Sequence, residues 1–416
     1  MSQENLMSKR WVLAGAGVAL QLILGTVYAW SVFKKPLMGA HGWSETATQA
    51  TFMIIIFVLG ISAAFGGALV DKKGPKFVAL IGALCYGIGT LCAGLADMTG
   101  SLFLLYVGYG VIGGLGNGFG YVVPIATLIR WFPDKRGLVT GLAVMGFGAG
   151  AFFVGKIAPD FIVSWGVANT FFAFGAVYLV VGLLAAAMFK NPPKGWLPDG
   201  YVQSKKTVSA EDSFNFEEAR RTPQWYMLWS MLFLNVSAGL GLLSQLSPMA
   251  QDILRQSISD PAKLAVEGGF ILAIASIFNG LGRLFWAAMS DKIGRKGVFL
   301  TMFASQAVLY VLLPKFNSAT MFTVAACYLM ACYGGGFAVM PSFAADSFGP
   351  TYIGKIYGAV LTAWGFAGVA GPLVFAQIKG APALYVAAAL LVAGFVITLA
   401  YKRPEKTAAP AAPPAA

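Results

Sequence analysis

Apolar runs of roughly 18–25 residues, separated by short polar breaks, recur along the whole chain, and a run of that length crosses a hydrocarbon core as a helix. Six fall at 11–33, 46–70, 77–96, 101–129, 138–160 and 167–189. Six more fall at 223–249, 266–290, 297–314, 320–345, 354–378 and 382–401. The pattern predicts an all-α membrane protein of twelve transmembrane helices. Residues 1–10 precede a first six-helix bundle at 11–189, the polar stretch 190–222 links it to a second bundle at 223–401, and 402–416 form a tail. That tail ends in PAAPPAA, a Pro/Ala-rich composition expected to be disordered.

Composition agrees with the pattern. Of the 416 residues, 58% are hydrophobic and 11% are charged, against about 25% charged in a water-soluble chain. A soluble enzyme, a secreted disulfide scaffold and a disordered chain are excluded. The first apolar run is too long for a signal-peptide core, so the first span is expected to remain in the mature protein. Cys85, Cys92, Cys327 and Cys332 lie within apolar runs and read as small core residues. The sole histidine, His41, falls in a loop, and no Cys/His or Ser/His constellation shares one membrane depth. No catalytic centre, metal or cofactor is called for.

The net charge of +12 raises nucleic acid as a partner, but the basic residues cluster at the ends of apolar runs, not among stacking aromatics. Of the 29 Lys and Arg residues, seven (Lys34, Lys35, Lys156, Arg255, Lys263, Lys315 and Lys379) fall at one set of ends and 21 at the other, leaving Arg283 alone. Basic residues concentrate on the cytoplasmic side, which predicts both termini inside and the lipid bilayer as the chain's surroundings.

The two halves repeat. Asp71-Lys-Lys-Gly74-Pro-Lys76 follows the second span and Asp291-Lys-Ile-Gly294-Arg-Lys296 follows the eighth, 220 residues later. Pro133, Gly137 and Gly141 likewise match Pro350, Gly354 and Gly358 at an offset of 217. Parallel six-helix halves around a midplane site are a transporter architecture. In the repeated turn, Asp either caps a helix N-terminus or pairs with a basic residue of the other bundle. Gly supplies the tight reversal, and the basic residues anchor to headgroups. The duplicated turn resembles the signature of the major facilitator superfamily.

Arg283 lies within the eighth span, eight residues before Asp291, or about 12 Å along a helix. A permanent cation at that depth is costly unless it faces a cavity or an anion. None of the 17 Asp and Glu residues falls clearly mid-span. The reading is an anion-binding site; the competing one is an arginine satisfied by carbonyls, water or an acid at a span end. Asn279, four residues earlier on the same face, can orient the guanidinium or bond the substrate. One guanidinium matches one carboxylate. Tyr121 in GNGFGYVVP, Tyr333 and Phe337 in CYGGGFAVMP, Tyr28 and Trp364 are candidate lining residues, with helix packing the alternative for each.

Arg130-Trp-Phe-Pro-Asp-Lys-Arg136-Gly-Leu, Arg221-Thr-Pro-Gln-Trp, Arg283-Leu-Phe-Trp286 and Ser290-Asp-Lys-Ile-Gly-Arg295 resemble the oxalate/formate antiporter family. Residues 130–150 are similar to the fifth-helix signature of the monocarboxylate transporters. The resemblance implies that Arg283 binds the substrate carboxylate and that Tyr28, Tyr121, Tyr333 and Phe337 line the pocket. It implies a structural or gating role for Asp71, Gly74, Arg130, Arg136, Asp291 and Gly294, and a monomer in a bacterial inner membrane. Two positions depart from it. Trp364 stands where the oxalate carriers have a second intramembrane Lys, and Asn279 stands where proton-coupled animal carriers have Asp. The expected function is therefore secondary transport of a small monocarboxylate, lactate- or pyruvate-like, with a proton. The alternative is an oxalate/formate-type exchanger. Lys379 and Lys34 or Lys35 could attract the anion or titrate, or simply snorkel to the interface.

Overall fold

A computed structural model describes residues 3–193, 195–201, 212–378 and 380–405. The centre of the linker, the Pro/Ala tail and Lys379 lie outside the described residues. The chain is 87% helical, with no strand among the described residues. Twelve helices are long and apolar enough to span a membrane. They are α1 (Leu6–Ala29), α2 (Thr46–Lys73), α3 (Pro75–Thr99), α4 (Leu102–Trp131), α5 (Arg136–Val154) and α6 (Phe161–Met188) in the first half. The second half has α7 (Pro223–Leu246), α8 (Phe270–Ile293), α9 (Arg295–Lys315), α10 (Ala319–Phe348), α11 (Ile353–Phe375) and α12 (Ala381–Ala400).

Local chemistry sets several boundaries. Thr222 Oγ1 accepts from the Trp225 amide at 3.4 Å and Pro223 occupies the first helical position of α7. Gly74 and Gly294 hold φ of +85° and +84° in the repeated turns, a conformation only glycine takes without strain. Helical structure around α1 begins earlier than the hydropathy pattern places it, at Gln3, and continues past it to His41. Between Gly25 and Trp30 it tightens into a 3₁₀ turn, Thr26–Ala29, where Thr26 Oγ1 lies 2.7 Å from the Tyr86 hydroxyl. Residues 136–188 stay helical through the connection except at Gly166, where φ is +81° and the chain turns back.

The repeat seen in sequence governs the packing. In the first half α1 packs on α5, α2 on α4 and α3 on α6; in the second α7 packs on α11, α8 on α10 and α9 on α12. Between halves, α2 meets α11 and α5 meets α8. At the membrane face richest in Lys and Arg, here termed the basic face, the two Asp turns close these contacts reciprocally. Asp71 Oδ2 accepts from the Lys355 amide that starts α11 (2.7 Å), and its Oδ1 takes Arg130 (2.6 Å). Asp291 accepts from the Gly137 and Leu138 amides that start α5 (3.0 and 2.9 Å), and it pairs with Arg295 (2.6 Å). Capping and pairing, open alternatives in sequence, occur together. The partnering differs from the expectation in one respect: Arg130 and Arg295 belong to the same half as the Asp they neutralise. Contacts across the halves come from Arg130 to the Pro350 and Thr351 carbonyls and from Arg136 to Asp346, which also takes Arg295.

Close approach across the interface requires Gly67. A Cβ there would collide with the Gly354 carbonyl, whereas one at Gly25 would collide with the Phe147 carbonyl inside the first half. Gly67→Ala should therefore spare the fold but prevent closure of the basic face, while Gly25→Ala should lower thermal stability. Ser342, buried at the seam 3.1 Å from Thr140, reports closure. A cysteine placed there should react with a polar thiol reagent roughly tenfold faster in Gly67→Ala, a shift of about 1.4 kcal/mol in the open population. An unchanged labelling rate would contradict the closing role.

Candidate functional site

Arg283 projects from α8 into the interface between halves and is fully buried. Its Nε donates to Asn279 Oδ1 at 3.1 Å, a contact that fits the orienting role. Nη1 donates to the Val144 carbonyl on α5 at 3.3 Å. Nη2 is buried and has no hydrogen-bond partner among the described residues. Among the described residues no carboxylate pairs with this guanidinium. Of the partners that the competing reading offers, the Val144 carbonyl is in contact with the guanidinium.

Aromatic rings enclose the cation. Its Cζ lies 5.6 Å from the Phe147 centroid and 5.4 Å from that of Phe337, within cation–π range. Trp364 from α11 sits 4.7 Å from Phe337, 5.3 Å from Tyr121 and 5.6 Å from Phe147. Tyr28, at the 3₁₀ turn of α1, lies 5.1 Å from Phe147, and its hydroxyl is 3.4 Å from that of Tyr333. All five aromatic residues singled out in sequence therefore share one box with Arg283 and Asn279. Three helices of each half build it: α1, α4 and α5 against α8, α10 and α11. Sequence reasoning missed Phe147 and Val144. The signal for Phe147 was present, an aromatic between glycines within residues 130–150.

Buried amides hold this wall in place. Gln21 Nε2 donates to the Tyr121 carbonyl (3.0 Å), and Asn235 Nδ2 to that of Tyr333 (3.4 Å). Gln306 Nε2 in turn donates to Asn235 Oδ1 at 3.1 Å. A Cβ at Gly334 would sit 2.6 Å from Asn279 Oδ1 and 3.0 Å from Arg283 Cγ, so only glycine leaves the Arg–Asn pair its room. The repeated turns (Asp71, Gly74, Asp291, Gly294, with Arg130 and Arg136) lie apart from the box, at the basic face.

Among the described residues three buried groups of the box have no hydrogen-bond partner: Arg283 Nη2, the Tyr121 hydroxyl and Trp364 Nε1. Each can donate, and a buried unpaired donor costs about 1–3 kcal/mol. A cation with a surplus of donors suits an anion rich in acceptor oxygens, as a carboxylate is.

The sequence matches the Major Facilitator Superfamily over residues 15–372, with a second, overlapping match over 261–416. The chain belongs to that superfamily. Its members are transporters, not enzymes. As a superfamily member it is 30% identical to the oxalate:formate antiporter of Oxalobacter formigenes, over 85% of this chain and 81% of that one. It is 27% identical to the uncharacterized MFS-type transporter YhjX of Escherichia coli K12, over 89% and 88%. Apicoplast pyruvate carrier 1 of Toxoplasma gondii is 28% identical, over 71% and 63%. The superfamily fold is shared with the FucP transporter crystallised in the outward conformation. There the TM-score is 0.70 at 15% identity, covering 96% of this chain and all of that one.

Because the Tyr121 hydroxyl has no hydrogen-bond partner among the described residues, removing it should not destabilise the protein. Tyr121→Phe is expected to keep or raise the substrate-free melting temperature while raising KM roughly tenfold, the loss of one hydrogen bond to a charged ligand. A fall in both stability and transport would instead make Tyr121 a packing residue.

Proposed function

We propose that this superfamily transporter carries a small monocarboxylate, lactate- or pyruvate-like, together with a proton, by alternating access between its two halves. The observation that carries the reading is Arg283: a fully buried cation that has, among the described residues, no carboxylate partner and no hydrogen bond at Nη2, within an apolar aromatic surround. One guanidinium neutralises one carboxylate, and the rings accept the small remainder. The basic face is read as cytoplasmic, in a bacterial inner membrane, with Arg283, Asn279, Tyr28, Tyr121, Tyr333, Phe337 and Trp364 as the binding residues. The chain is read as acting as a monomer. Because position 279 is neutral, the proton travels on the substrate or on another group, for which Lys379 is the candidate.

Similarity to the Oxalobacter antiporter favours a second reading, oxalate/formate exchange. Against it stands Trp364, fully buried in the box and neutral. A dianion would keep one charge unpaired in a membrane interior where ions cost several kcal/mol.

Uptake into proteoliposomes, with and without a pH gradient, separates the two readings. Lactate and pyruvate should compete with labelled lactate far better than oxalate does; equal competition by oxalate would refute the one-cation argument. Arg283→Gln retains a partner for Asn279 but not the charge, so the protein should fold and lose roughly 100-fold or more in affinity. Undiminished substrate-induced thermal stabilisation in that variant would remove Arg283 from the site.

Asn279→Asp tests the neutrality of the box. An ionised carboxylate there would occupy the guanidinium and compete with substrate; protonating it would free Arg283. Uptake by the variant should be depressed near neutral pH and rise more steeply than the parent's as pH falls. Superimposable pH profiles would show that the side chain at 279 does not control the charge on Arg283.

A further inference from the structure

A cleft of about 740 Å³ opens on the basic face, away from the aromatic box. It forms where the start of α1, the Gly74 turn and the end of α6 converge, and Lys9, Lys73, Lys76 and Lys190 line it. None of these four side chains has a partner among the described residues, although their surroundings are paired. Arg10, next to Lys9, is held by Asp134 at 2.8 Å. Lys296, which occupies the position of Lys76 in the second half, donates to the Leu399 and Tyr401 carbonyls at 2.8 and 2.9 Å. The repeat thus satisfies one lysine and leaves its counterpart in a concave group of four like charges.

Like charges gathered in one cleft repel, and an anion set among them relieves the repulsion. The cleft's other wall identifies the class of anion. Val12 and Met188 line it and are 54% and 44% exposed, at the end of helices whose outer surfaces are apolar. A ligand meeting both walls is acidic at one end and hydrocarbon at the other. We propose that this cleft is a binding site for an anionic phospholipid, its phosphodiester among the four lysines and its acyl chains along Val12 and Met188. This goes beyond a general affinity of basic residues for headgroups, because it requires one saturable site in the first half and none at the matching place in the second, where Lys296 is already engaged. Every residue lining the cleft comes from the first half or the start of the linker. The site therefore moves as part of one rigid half, and it stands independently of the substrate assignment.

The test uses the full chain in neutral detergent, with phosphatidylglycerol, phosphatidylcholine and sn-glycerol 3-phosphate as probes, read by native mass spectrometry and melting temperature. Phosphatidylglycerol should give one saturable adduct and a rise in melting temperature that the other two probes do not produce. Near an anionic surface each Lys contributes about 1 kcal/mol, roughly a fivefold change. Replacing all four with Gln should accordingly weaken the adduct by well over tenfold, whereas Lys292→Gln with Lys402→Gln should leave it intact. The variants retain length and polarity on the surface, and a double change at Lys73 and Lys76 alone should give an intermediate loss. Equal stabilisation by phosphatidylcholine or by glycerol phosphate overturns the proposal, as does equal weakening by the control pair.

Discussion

A guanidinium buried without a carboxylate is the constraint around which this protein is arranged. Arginine stays charged at any attainable pH, so burial cannot be relieved by losing a proton. Among the described residues the cost is offset by neutral groups: one amide oxygen, one backbone carbonyl and two ring faces. These stabilise the cation but do not cancel it. An ionised carboxylate at position 279 would cancel it, so the neutrality of Asn279 matters as much as the charge of Arg283. The surplus donors on Tyr121 and Trp364 point the same way, since each is a cost that an incoming set of acceptor oxygens removes.

The same helices connect this box to the basic face. α8 carries Arg283 and, two turns on, Asp291, which caps α5. α5 in turn offers Val144 and Phe147 to Arg283. On the other side of the interface, α11 begins at the amide capped by Asp71 and carries Trp364 less than three turns later. α11 is interrupted at Leu361, between the capped amide and Trp364, so parting the halves at the basic face would break a cap and move the first segment of the helix that carries this box residue. Closure and the shape of the site are thus two ends of one lever, with no separate signalling path needed.

What was legible in sequence follows the range of the interactions involved. Arg283 and Asn279 are four residues apart on one helix, and the duplicated Asp turns are local motifs, so spacing alone placed them. The aromatic candidates were found by composition, since polar-tipped rings beside glycines are conspicuous in an apolar run. Val144 was illegible because it acts through its carbonyl, and any residue has one. The 3₁₀ turn at Thr26–Ala29 was hidden as well: hydropathy runs on unbroken there, and the turn is marked by a tertiary contact from Thr26 to Tyr86. Whether Asp71 caps or pairs depended on how the halves meet, which no single-helix pattern contains.

The departure from symmetry is as informative as the symmetry. At the offset of 220 that superposes the two Asp turns, Ala287 corresponds to Gly67 and Gly280 to Gly60, small residues packed across the interface in both halves. Arg283 corresponds to Ala63 and Asn279 to Leu59, both fully buried. Ala63 packs against Gly358, an ordinary close contact between helices. The duplicated scaffold therefore offers two equivalent places for a cation, and the chain fills one. The charge of the proposed site thus belongs to the second half, while Tyr28, Tyr121 and Phe147 of the first half face it. Under the proposed alternating access, a site with its charge on one side would keep hold of an anion while the opposite wall moves. Two facing arginines would instead repel each other across the gap, and each would need an anion of its own.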